Sequence, residues 1–461
     1  MLNLTAFIVP HPPIIIPEIG RGEERKIDLT VKSFHQIAQK IAEIKPDTII
    51  IISPHAKAYS DCFYMPISES AKGSFRDFGA SDVHMAVSVD QEFIRQIVLK
   101  SNEFNSDVYS HSVKEDSLDH GTMVPLYFIN QYYTDYQLVK IPLSGLSTEQ
   151  HYKLSQSIQA VIKDQKKKVV IIASGDLSHK LKTTGPYGYI KEGPLFDKDI
   201  TEAMSSGDFL RFLTLEEEFC SKAAECGRRS FIIMAGIFDG YFVHSNLLSY
   251  EGPFGVGYAL AEFNTLREDE SRKLLPKYEK AIIDHAIIKK NNEDIYVKLA
   301  RESLEYFVTH HQAMKTPSNL PDELINQKAG VFVSLKIAGE LRGCIGTTGP
   351  TTINIASEII QNAISAGTKD PRFMPIGFNE LNKLSYSVDV LGNVEPIQSL
   401  EDLNPIRYGV IVKYQYKSGL LLPNLEGVDT VEEQLQIALR KANINPKDPY
   451  TIQRFEVIRH D

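Results

Sequence analysis

Apolar residues fall into two rhythms over the first part of the chain. Residues 4–9, Thr48–Ser53 and Val169–Ser174 are short, continuous apolar or β-branched runs. Such runs predict strands buried on both faces. Between them, Ile27, Val31, Phe34, Ile37, Ile41 and Ile44 recur at helical spacing, and Pro46-Asp47 ends that segment. Ser147-Thr-Glu-Gln150 reads as a capping box opening a helix to about residue 162, and the lysine run 166–168 comes next. Residues 195–204 and 227–238 read as helices, and 241–250 and 256–262 as strands. Strands alternating with helices predict an α/β domain whose mostly parallel sheet is covered by helices on both faces.

The pattern then changes. Residues 265–280 are rich in charge and contain Pro276, which reads as a linker or helical bridge. Beyond it, 294–308, 353–364 and Val431–Ala442 have helical periodicity, while 330–337, Leu384–Leu391, 410–416 and 420–422 read as strands. Ala338-Gly339-Glu340 marks a hairpin turn, and Lys417-Ser-Gly a second turn. Grouped strands with few helices predict a smaller α+β domain. The expected division is residues 1–264, a linker over 265–284, and 285–461.

Composition narrows the class. The 461 residues are 43% hydrophobic and 24% charged, as in ordinary globular chains. Fifty Lys+Arg against 59 Asp+Glu give a net charge of −9. This argues against a general grip on nucleic acid or an anionic membrane, although a local basic patch is compatible with that average. Four cysteines, at 62, 220, 226 and 344, make no disulfide framework. The start of the chain lacks a basic segment and is broken by prolines, and no apolar run approaches the ~20 residues needed to cross a bilayer. A cytoplasmic location is the expectation.

Candidate chemistry gathers on three histidines. His11, His55 and His179 each lie a few residues past a predicted buried strand. The carboxyl ends of parallel strands share one rim, outside which ligands bind. Two neutral imidazoles with a carboxylate form a facial triad suited to ferrous iron. Glu225, just before an apolar helix, is a candidate carboxylate; it equally suits the N-terminal dipole of that helix. Cys226 beside it is either a thiolate ligand or a small buried residue. Arg228-Arg229 invites an anion contact or a salt bridge.

Taken together, Val9-Pro-His-Pro-Pro13, Ile52-Ser-Pro-His55, Asp119-His-Gly121, Ser174-Gly-Asp-Leu-Ser-His179 and Glu225-Cys-Gly-Arg228 resemble the class III extradiol (LigB-like) dioxygenases, and within them the Memo-like branch. The resemblance implies metal ligation by His11, His55 and an acidic residue, with His179 as acid/base and His120 either behind the ligands or on the substrate side. Ring-cleaving members place Glu at the third position and Memo-like members Cys. Here Glu225 and Cys226 are adjacent, and the expectation is Glu225 with Cys226 as the alternative. The implied activity is a non-haem Fe(II) oxidoreductase taking a catechol-like substrate, with His179 removing a phenolic proton and Asp176 orienting His179 or shaping its loop.

Leu341-Arg-Gly-Cys-Ile-Gly346, with Asp370-Pro-Arg-Phe373, resembles the Ammecr-type domain. There Gly343 and Gly346 permit close approach, Arg342 suits a carboxylate or phosphate near Asp370 and Arg372, and Cys344 is a possible nucleophile or simply a small packed residue. The fused pair is similar to proteins of AmmeMemoRadiSam systems, which implies a radical-SAM partner. Two other readings remain open: a copper- or zinc-binding redox or hydrolytic enzyme, and a non-enzymatic adaptor.

Overall fold

In the computed structural model, which describes residues 3–425, 427–428 and 430–461, the continuous apolar runs become the centre of a six-stranded sheet. Its strands are β1 (Thr5–Val9), β2 (Thr48–Ser53), β3 (Gln137–Pro142), β4 (Val169–Ser174), β5 (Tyr241–Glu251) and β6 (Tyr258–Glu268). They lie in the order β5-β6-β1-β4-β2-β3. From β1 to β3 neighbours pair parallel, whereas β6 and β5 add antiparallel. Every residue of β2 and β4 is buried, which is why those strands read as unbroken apolar runs.

Among the helices around this sheet are α1 (Asp28–Ile44), α2 (His120–Ile129), α3 (Thr148–Gln165) and α4 (Arg228–Ile237). One group pairs α1 with α2 and the other α3 with α4, and both α2 and α4 lie against β2 and β4. Ser147 caps α3, accepting from Gln150 N at 3.3 Å as its capping signal predicts. Residues 23–27 form a 3-10 turn rather than the first turn of α1.

The chain divides into two units, Met1–Glu279 and Lys280–Asp461. The division falls within a helix, Leu275–Asn292. Residues 265–268, expected in a linker, instead finish β6, because pairing with Tyr241–Val243 of β5 holds a strand tail whose last three side chains face solvent. Sequence patterning also passed over Ser70–Phe75 and Ala80–Ser88, an antiparallel pair whose second strand is mostly exposed. Val83, Met85 and Val87 do alternate with exposed residues along the second strand, but they are only half-buried, and Ala86 and His84 dilute the pattern.

The second unit holds β7 (Val331–Ile337), β8 (Glu340–Gly346) and β9 (Leu384–Leu391) in one antiparallel sheet, with Val457–His460 beyond β9. The β7–β8 turn puts Ala338 (φ 53°) and Gly339 (φ 82°) in the left-handed region, as a tight hairpin requires. Helices α5 (Ile295–His310) and α6 (Ile355–Thr368) pack on this sheet. A second four-stranded sheet carries α7 (Val431–Ala442). Its hairpin turns at Gln415 (φ 54°), so Lys417-Ser-Gly lies in a strand and is not the turn itself. Among the described residues, no helix is long and apolar enough to cross a membrane.

Candidate metal centre

Strands β1, β4 and β2 are adjacent and parallel, so the segments leaving their carboxyl ends meet on one edge. His11 leaves β1, His55 leaves β2, and the Gly175–His179 loop leaves β4. His11 Nε2 and His55 Nε2 stand 3.0 Å apart, and Cys226 Sγ is 3.6 Å from His11 Nε2. The three donor atoms lie within 4.8 Å of one another.

Polar residues at the strand ends orient these side chains. Ser174 Oγ donates to the Gly121 carbonyl at 2.6 Å and stands 3.0 Å from His11 Nδ1. That hydroxyl is therefore left to accept, which assigns the proton to His11 Nδ1 and leaves a bare lone pair on Nε2. The His11 amide donates to Asp176 Oδ1 at 2.8 Å. Ser53 Oγ donates to Asp119 Oδ1 at 2.5 Å and receives the His55 amide at 3.3 Å. Asp119 also caps α2, accepting from Thr122 N at 3.0 Å. His120 then begins α2 with its ring 4.0 Å from that of His55. The Asp-His-Gly motif thus serves cap, ring and carbonyl in three successive residues.

Burial holds His11 and His120 neutral, the form in which an imidazole can ligate a cation. Burial first, then His55, lowers the pKa of His11 to about 3. Burial, with His55 and His11 nearby, does the same to His120. For Cys226, burial and the Asp176 and Glu225 carboxylates push the thiol well up. A cation held between the three donors is what would reverse that balance. The donor set therefore fits a metal, with His55 exposed on the open side.

Glu225, the expected third ligand, is not part of this cluster. Its Oε2 accepts the Arg228 amide at 2.7 Å, capping α4, and its Oε1 lies 3.8 Å from Arg228 Nε. The helix-dipole role offered by the sequence is the one it fills. Arg228 is 1% exposed and pairs with Glu217 as well as Glu225, so it is a buried ion-pair residue and no anion site. Arg229 donates to the Ser144 carbonyl at 2.9 Å. The turn at Cys226 approaches the β4 loop because two glycines meet there. A Cβ built on Gly175 falls 2.2 Å from Gly227 Cα.

His179 faces the same edge. Its Nε2 is buried and has no hydrogen-bond partner among the described residues. Burial lowers its pKa, against the raising effect of Asp176. Burial also pushes Asp176 up to about 6, although the His11 amide and His179 pull it down. Tyr187 stacks on His179 at 5.2 Å between ring centroids, and Phe78 meets His120 edge-on at 5.2 Å. Phe78 ends a short 3-10 turn and Tyr187 sits in a loop, and nothing in the sequence marked them.

Asp197 holds the His179 loop through Ser178 N, which it accepts at 2.8 Å, and it receives Tyr250 OH at 2.7 Å. Burial pushes its pKa up to about 7 from 3.8. The folded state therefore binds a proton that the unfolded state has released, so stability falls as pH rises from about 4 to about 7. Denaturant titrations at pH 5 and pH 8 are expected to show a loss on the order of 2–3 kcal/mol from this group, absent in Asp197→Asn.

In the second unit, Arg342 is not available to an external anion, because Glu380 fills its guanidinium fork at 2.8 and 3.1 Å. Asp370 accepts from Arg372 at 2.9 and 2.6 Å and from the Cys344 amide at 2.9 Å. The Arg372 hydrogen bonds hold its carboxyl down at about 2. Cys344 Sγ accepts from Ser334 Oγ at 3.3 Å. Gly343 is required by packing, since a Cβ there would lie 2.2 Å from the Ala366 carbonyl of α6. Arg342 is thus held by Glu380, while Asp370 ties Arg372 to the backbone of Cys344.

Comparison with known proteins agrees with this two-part organisation. Residues 5–261 match the family described as the catalytic LigB subunit of aromatic ring-opening dioxygenase, and residues 297–460 match the AMMECR1 family. The first match covers more than half of the chain, and the chain belongs to that LigB family, with an AMMECR1 domain after it. It is 44% identical to a Clostridium acetobutylicum protein, with 98% of each chain covered. A Thermotoga maritima protein is 47% identical over 36% of this chain and 98% of its own length. A solved structure from Pyrococcus horikoshii, titled an uncharacterized protein, has 30% identity, covers 36% of this chain and 89% of its own, and superposes with a TM-score of 0.34.

Proposed function

We propose that the first unit is a metal-dependent enzyme with a two-histidine, one-cysteine centre that carries out redox or hydrolytic chemistry on a small planar molecule. The carrying observation is the third donor: Cys226 Sγ, and no carboxylate among the described residues, joins His11 and His55. Thiolate ligands favour softer cations, so zinc or copper is the preferred occupant. Bound there, such a cation would polarise a substrate oxygen or exchange electrons with it.

The chain's own groups supply the rest. His179, neutral and with a free buried Nε2, takes a proton from a substrate hydroxyl or returns one. Asp176 faces the imidazolium so formed and stabilises it. Phe78 and Tyr187 border the open side and orient a flat ring against His120 and His179. Ferrous ring-opening chemistry is the second reading, favoured by the family match over residues 5–261. A radical-SAM partner, implied by the fused arrangement, belongs to this proposal too.

Cobalt substitution separates the donors. The cobalt-loaded protein is expected to show an intense thiolate-to-metal absorption that vanishes in Cys226→Ser and persists in Glu225→Gln. An unchanged band in Cys226→Ser would overturn the thiolate assignment. Oxygen uptake with catechol by iron-loaded protein, measured with an electrode, would favour the second reading.

A further inference from the structure

The opposite, amino-terminal ends of the parallel strands carry a feature that the proposed chemistry does not use. A cavity of about 920 Å³ opens there, and Lys163, Lys166, Lys167 and Lys168 all line it. The last three are the lysine run between α3 and β4. Ile44, Ile162 and the Tyr241 ring add apolar wall. In a chain of net charge −9, four cations around one cavity are a marked local reversal.

The lysines are only partly neutralised. Lys167 pairs with Asp90 at 2.5 Å. Lys163 donates to the uncharged Gln159 at 2.8 Å and lies 5.3 Å from the centroid of the Tyr241 ring. Among the described residues, Lys163, Lys166 and Lys168 have no carboxylate partner. Glu268 is the one acidic side chain on the lining; burial first, and then its charge, raise the pKa of the Tyr241 hydroxyl. The exposed carbonyls at the end of α3 account for a lysine in its last turn. They do not account for Lys168, which lies beyond the αL residue Lys166 that ends the helix. Lys168 is anchored by its backbone, with its amide donating to Asp47 and its carbonyl accepting from Asp47 and Thr48.

We infer that this lysine-lined cavity binds an oligophosphate, in the size range of a nucleoside triphosphate. Three unpaired ammonium groups on flexible stems match a chain of phosphate oxygens, and the apolar wall suits an attached planar body. The site stands apart from the metal centre, at the other end of the same strands.

The test is calorimetric titration of the full chain with ATP and, separately, with inorganic tripolyphosphate at low salt. Saturable binding of about one ligand per chain is expected, weakened at least about tenfold in Lys166→Ala/Lys168→Ala and weakened by added salt. Lys289→Ala/Lys290→Ala removes the same charge from another part of the chain and should leave binding unchanged. Lys163→Glu provides a second variant, and thermal melts check that each is folded. Tripolyphosphate binding equal to that of ATP would assign the site to phosphate alone, and tighter ATP binding to the whole nucleotide. Three results would overturn the inference: no binding of either probe, equal loss in the control pair, or loss in His11→Ala/His55→Ala with the lysine variants unaffected.

Discussion

Protein purified without oxygen is expected to carry about one metal ion per chain, and His11→Ala/His55→Ala to carry none above background. Elemental analysis of the two proteins side by side makes the measurement. The expectation rests on the convergence of three donors. His11 Nε2 is bare because Ser174 fixes the proton on Nδ1, and His55 Nε2 and Cys226 Sγ converge on it within 4.8 Å. With both imidazoles gone, a single cysteine remains, and one thiolate does not retain a divalent cation. Ser174→Ala makes a graded companion. It removes the hydroxyl that orients His11 while sparing every donor atom, and metal affinity should fall about 10–100-fold. Normal metal content in the double variant would place the ion elsewhere in the chain.

How far this centre was legible can be traced residue by residue. His11, His55 and the 175–179 loop were readable because buried parallel strands are continuous apolar runs, and the residues just past the ends of such runs gather on one edge. Ser53 and Ser174 gave a weaker signal: each is the polar last residue of an otherwise apolar strand. The choice between Glu225 and Cys226 was not readable. Adjacent residues differ in direction by a single backbone rotation, and which one turns inward is fixed by contacts from elsewhere in the fold: the Arg228 amide on Glu225, Asp176 N on Cys226, and the Gly175–Gly227 approach. Phe78 ends a three-residue 3-10 turn and Tyr187 lies in a loop; in such short segments position depends on the whole fold and not on local pattern. Arg342 holds a carboxylate, as its residue type suggests, but one from within the chain, and which one was not readable. Its partner Glu380 is 38 residues away, a distance over which sequence offers no pairing rule.

The other large expected effect comes from one methyl group. Gly175 comes directly after β4 and Gly227 directly after Cys226, and the two backbones touch. A Cβ on residue 175 would lie 2.2 Å from Gly227 Cα and 3.2 Å from its nitrogen and carbonyl carbon. All three atoms are backbone, so no rotamer change relieves the clash. Neither side retreats freely. The Gly175 amide is bonded to the Val9 carbonyl at 2.9 Å, and Gly227 opens α4, where Glu225 and Arg228 are locked together. Asp176 N, the next donor along, reaches Cys226 Sγ at 3.3 Å across this contact. Gly175→Ala is therefore expected to destabilise the first unit by about 2–3 kcal/mol, a fall in melting temperature of roughly 5–10 °C. In the fraction that folds, it should also move Cys226 away from His11, so the cobalt thiolate band weakens even where metal is still bound by the histidines. Gly349→Ala is the matched control, since a Cβ there meets nothing within 4 Å, and it should change neither quantity. A stable Gly175→Ala protein with an undiminished thiolate band would mean that the glycine pair does not set the position of Cys226. The convergence of the β4 loop and the α4 turn would then have to be carried by the Glu225–Arg228–Glu217 ion pairs alone.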